Sequence, residues 1–125
     1  MSVWSGRATR GAAGVLLALL AAGCVPASPD VDTYRDKAAQ TLGSAVSDTR
    51  TVARLMETMH DGRMLKPTAV AQLRYSEGAL ETATGAFTEL NPPPSQDPLA
   101  RRAGNLLDDA ADLLADARIA LERDD

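Results

Sequence analysis

The chain has 125 residues, 45% of them hydrophobic but only 3% aromatic, with one cysteine, one histidine and a net charge of −4. Alanine occurs 23 times, leucine 16 times and isoleucine once, which fits one small helical domain and not a sheet, because strands favour β-branched and aromatic residues. A single cysteine excludes a disulfide scaffold and a cysteine-built zinc site.

Met1 to Arg10 carry Arg7 and Arg10 and no acid. Gly11 to Ala22 contain no polar side chain, and Gly23 and Cys24 follow. A basic head, a short apolar run and small residues have the form of a secretory signal, and the run is short for a bilayer span. The end of this segment, Leu19-Leu20-Ala21-Ala22-Gly23-Cys24, resembles the lipobox of bacterial lipoproteins. Ala21 stands where that family prefers leucine, with Leu20 one place earlier. The resemblance covers only this export segment. It implies cleavage after Gly23, a diacylglyceryl thioether on Cys24, and an exported chain held on the outer side of the cell membrane. Ordinary secretion with a free thiol is the alternative. No Arg-Arg pair stands in the leader, so general export is expected over the twin-arginine route. The Ala-, Arg- and Asp-rich, Lys-poor usage resembles that of a high-GC bacterium such as an actinomycete.

The expected organisation is a signal peptide over 1–23, a lipidated N-terminus and linker over 24–30, and a helical bundle over 31–125. A chain beginning at Cys24 keeps all 17 acids and loses Arg7 and Arg10, which leaves a net charge of −6. That balance argues against nucleic acid and against electrostatic docking on anionic lipid. Membrane attachment then comes from acyl chains on Cys24. The linker residues 25–30 reach at most about 20 Å.

The first helix is predicted over 31–61, capped by Asp30, Asp32 or Thr33. Its apolar stripe is Val31, Ala38, Leu42, Ala45, Thr49, Val52, Met56 and Met59, stepping by four and three as in a bundle seam. Asp61-Gly62 stops it, with Gly62 free to adopt the left-handed conformation. The second helix is predicted over 67–90 from Pro67, with Ala69, Leu73, Ser76, Leu80, Ala83, Phe87 and Leu90 inward. Asn91 and the prolines 92–94 end it. The third is predicted over 98–122 with Asp97 as cap. Its seam is Leu99, Ala103, Leu106, Ala110, Leu113, Ala117 and Ala120, widened by Leu107, Leu114 and Leu121. The tail from Arg123 is expected to fray. Three long helices and short connections predict an all-α, antiparallel three-helix bundle. An N-terminal anchor then places the 91–97 connection toward the membrane and the 61–66 turn away from it.

Chemistry-bearing residues are sparse. His60 lies in the last turn of the first helix, where the helix dipole favours a cation. Asp108, Asp109, Asp112 and Asp116 share an arc of about 100° on the third helix, with Ile119 on the same arc. No calcium-loop pattern accompanies them. Ala71, Gly78 and Gly85 repeat every seven residues beside Tyr75 and Thr82, away from the second helix's core stripe. Mid-helix glycines cost about 1 kcal/mol each relative to alanine, so two on one face suggest close approach by a helix or a partner. Local pairs such as Arg54–Glu57 and Arg118–Glu122 are expected. Trp4-Ser5-Gly6 has the form of a WxG turn but lies in the leader, far from any helix–helix turn. No phosphate loop, nucleophile elbow or metal motif appears, so no catalytic residue, metal or cofactor is assigned. The expected function is a non-enzymatic interaction or scaffold module at the cell envelope, meeting an envelope protein or another copy of itself. Its surfaces would be Tyr75, Gly78, Thr82 and Gly85, and Asp108, Asp112, Asp116 and Ile119. A carrier for a cation or small ligand is the alternative.

Overall fold

The computed structural model describes residues 28–123. The leader, Cys24, the first part of the linker and Asp124–Asp125 lie outside the described residues. Helix α1 spans Val31–His60, α2 spans Lys66–Thr88 and α3 spans Asp97–Arg123, with a short 3-10 turn at Pro94–Gln96. Among the described residues there is no strand, and each helix packs against the other two. The chain is the expected all-α three-helix bundle.

Local chemistry explains the helix ends. Asp30 is extended at the cap of α1, and its Oδ1 accepts the Thr33 N–H at 2.9 Å. At the other end Gly62 takes a φ of +69°, the region that glycine enters without steric cost. Pro67 sits in the first turn of α2, where its missing N–H is not needed. The start of α3 differs from expectation. The Gln96 N–H donates to the Pro93 carbonyl at 2.7 Å, so the turn runs straight into the helix. Asp97 is therefore the first helical residue and not a cap.

The order of the helices is up, down, up. Asn91 Nδ2 donates to Ser28 Oγ at 2.9 Å, and Arg35 Nε donates to Gln96 Oε1 at 3.2 Å. These bonds put the 91–97 connection at the end where α1 begins. The 61–65 connection and the end of α3 lie at the other end.

The core of α1 and α2 follows the predicted stripes. Ala38, Ala45, Val52, Ala69, Leu73, Ser76, Leu80 and Phe87 are buried, while Leu42, Thr49, Met56, Met59 and Leu90 are half-buried at its margin. Buried alanines on all three helices let the backbones approach closely. Tyr34, Leu55 and Gln96 are buried in addition. Tyr34 is only 1% exposed, and its ring centroid lies 5.5 Å from that of Phe87. Burial pushes the Tyr34 hydroxyl above its usual value, helped by the charge of Asp97.

The seam of α3 is rotated from the predicted one. Ala103, Leu107, Leu114 and Leu121 are buried, with Ala110 and Ala117 beside them. Leu106 is 53% and Leu113 54% exposed, and Ala120 is exposed too. The reason is that α3 faces two helices at once. Leu107 is fully buried and faces the groove with α2, whereas Leu106 lines the groove with α1 and stays half exposed.

Candidate interaction surface

The small-residue face of α2 is outward. Tyr75 is 72% exposed, and Gly78, Thr82 and Gly85 are exposed. The Thr82 hydroxyl is turned onto its own helix, donating to the Gly78 carbonyl at 2.8 Å. A methyl group built on Gly78 or Gly85 meets no atom within 4 Å. None of the described helices therefore uses the space the glycines leave. Replacing both by alanine is expected to raise the unfolding free energy by about 1 kcal/mol per site. Urea denaturation of Gly78→Ala, Gly85→Ala and the double variant checks this.

Asp108, Asp112 and Asp116 are exposed on α3. Asp109 is exposed beside them. Ile119 is half-buried and not open as expected. Among the described residues no three His, Asp or Glu side chains gather closely enough to hold a metal ion. His60 is exposed in the last turn of α1. The two candidate faces meet at one place. Gly85 and Asp108 line a groove of about 580 Å³ between α2 and α3, floored by Leu80 and Leu107 and rimmed by Glu77 and Glu81.

Toward the far end of that groove, charged side chains join the two helices. Arg118 Nε donates to both oxygens of Glu77 at 3.1 and 2.9 Å. Arg118 Nη1 donates to Glu122 at 3.0 Å, and Arg74 Nη2 donates to the other Glu122 oxygen at 3.0 Å. The expected Arg118–Glu122 pair is thus one part of a four-residue chain, whereas Arg54 and Glu57 form no ion pair. Hydrogen bonding from Arg74 first, and then the charge of Arg118, hold the Glu122 carboxyl below its ordinary value of 4.5. The Thr33 N–H holds Asp30 below 3.8. A carboxyl whose value is lowered by folding binds protons more readily in the unfolded chain. Its contribution is present above the ordinary value and is lost as the pH falls through the lowered one. The melting temperature is therefore expected to decline as the pH drops below 4.5 and then 3.8. Glu122→Gln should make that decline shallower, as calorimetry across an acid series will read.

Sequence reasoning missed a third surface. Leu42, Ala45, Val46 and Thr49 of α1 and Leu106 and Ala110 of α3 line a groove between these two helices. Val46 is 47% exposed, and Leu113 continues the apolar stripe two turns along from Leu106. The signal was the leucine every seven residues on α3, which the sequence reading assigned to the core. No helix among the described residues is long and apolar enough to cross a membrane. No protein-family model matches the chain, no curated protein matches its sequence, and no solved structure matches its fold.

Proposed function

We propose that this chain is a bacterial lipoprotein, anchored through Cys24, whose helical bundle is a non-catalytic interaction module on the outer side of the cell membrane. The observation that carries this reading is the only cysteine standing directly after Leu19-Leu20-Ala21-Ala22-Gly23 at the end of a basic and then apolar leader. The bundle supports the second half of the reading. Among the described residues its buried centre is built from Ala, Val, Leu, Phe and Tyr, with Ser76 and Gln96 the buried polar residues. What it offers is surface: small residues on α2, acids on α3 and an apolar edge between α1 and α3.

Chemical crosslinking and co-purification from native membranes test the role. A protein recovered in fixed ratio with the wild type, and lost when a cleavable leader without the lipobox replaces residues 1–24, is the expected result. Turnover of a small-molecule substrate by the purified bundle, abolished by a surface substitution, would replace the interaction role with an enzymatic one.

A further inference from the structure

We infer that the groove between α2 and α3 binds a small organic cation, with an apolar body on the leucine floor and a positive group between the carboxylates of the two walls. The groove measures about 580 Å³, which is in the range of small-molecule pockets. Leu80 and Leu107 give it an apolar floor that continues into the core. Gly85 leaves one wall without a side chain, and a methyl group built there meets no atom within 4 Å. An apolar floor open to water favours an occupant that covers it with apolar surface.

The walls choose the sign of that occupant. Every charged residue lining the groove is an acid: Glu77 and Glu81 on α2, and Asp108 on α3. Glu77 is held by Arg118, and Glu122 beyond it by Arg118 and Arg74, so those four residues carry no net charge. Glu81 and Asp108 stand on opposite walls, are exposed, and pair with no base among the described residues. Asp112, one turn after Asp108, is exposed and unpaired as well. Arg101 lies on the same line of α3 two turns before Asp108, outside the lining and about 10 Å along the helix, where salt screens most of its effect. Arg102 is turned about 120° from Asp108, toward the α1 side. The middle of the groove thus keeps an uncompensated negative charge above an apolar floor. A cleft lined by one sign of charge, with low-dielectric walls, concentrates the field and draws the opposite ion. A bare inorganic cation would leave the leucine floor wet, and no three acids gather closely enough to hold a metal among the described residues. A neutral apolar ligand would leave both free carboxylates without a partner. An amphiphilic cation meets both demands. This binding role goes beyond the interaction module and does not depend on the anchor at Cys24.

The test titrates berberine, a flat organic cation whose fluorescence rises in apolar surroundings, into the full chain held in phosphatidylcholine nanodiscs, with empty discs as the blank. The expected result is saturable binding of one dye per chain. Glu81→Gln with Asp108→Asn should weaken it about tenfold, since two unit charges close to the cation are removed. Asp36→Asn with Glu57→Gln changes the net charge by the same amount at exposed sites of α1, and should leave the affinity within about twofold. Gly85→Leu should abolish binding by taking the open space, and the higher helix propensity of leucine keeps that variant folded, as circular dichroism will read. The apolar anion 8-anilinonaphthalene-1-sulfonate should not bind, and tetramethylammonium, a cation without an apolar body, should not displace the dye. No saturable binding of berberine, equal weakening by the α1 pair, or binding that survives Gly85→Leu in a folded chain would overturn the site. Binding of the anion with the affinity of berberine, or displacement by tetramethylammonium at equal concentration, would overturn it too.

Discussion

Leu107→Ala and Leu114→Ala are each expected to lower the unfolding free energy by about 3 kcal/mol, whereas Leu106→Ala and Leu113→Ala each change it by less than about 1 kcal/mol. The four substitutions remove the same atoms from neighbouring positions of one helix. They differ only in surroundings. Leu107 and Leu114 are wholly buried, so truncation loses their transfer from water and leaves a void in the core. Leu106 and Leu113 keep about half their surface in solvent. Alanine there loses little burial, and its higher helix propensity offsets part of the loss. A small domain holds about 5–15 kcal/mol in total, so either buried substitution takes a large share. Chemical denaturation of the four variants decides the seam. Equal losses at 106 and 107 would return the core of α3 to the position its sequence periodicity suggests.

Cys24→Ser is expected to have the largest effect on where the protein resides. With serine at that position there is no sulfur to carry a thioether, so the N-terminal peptide should show no acyl mass and the chain should keep residues 1–23. A second form isolates the energetics: an ordinary cleavable leader placed directly before Val25, with no cysteine. Each CH₂ buried in a bilayer contributes about 0.8 kcal/mol, and two chains anchor stably where one binds only marginally. The chain from Cys24 onward has a net charge of −6, and none of the described helices is long and apolar enough to cross a membrane. The membrane-bound fraction should fall from nearly all to nearly none. Mass spectrometry of the N-terminal peptide and flotation of membranes measure the two effects, and acylation-independent flotation of the second form would remove the anchor.

The helices were legible because their boundaries are chemical. Asp30, Gly62, Pro67 and the prolines 92–94 each act within a turn of chain, and the observed ends fall within two residues of the expected ones. The stripes of α1 and α2 were legible because each has one run of apolar residues at bundle spacing. On α3 the leucines come in adjacent pairs, 106 with 107 and 113 with 114, which gives two stripes of equal period about 100° apart. Periodicity cannot choose between them. That choice belongs to the placement of α1 and α2. Tyr34 was missed for a related reason: its partner Phe87 lies on another helix, 53 residues on. The same limit hid the Arg118–Glu77 contact, which spans 41 residues, while the Arg118–Glu122 pair at one turn's spacing was visible. The candidate faces on α2 and α3 could be read as outward, but their meeting at Gly85 and Asp108 depends on how the helices lean together.

The hydrogen bond between Ser28 and Asn91 also sets how the bundle is approached. From Cys24 to Ser28 is four residues, a reach of roughly 14 Å at full extension. Ser28 is already tied to the start of the proline connection, so no further slack separates an anchored bundle from its bilayer. A folded domain of 100 residues has a radius of gyration of about 13 Å and does not pass through a gap of that height. In a chain anchored at Cys24 as proposed, the proline end would be closed to large neighbours, and the sides of the helices and the Gly62 end would be left as the approaches open to them.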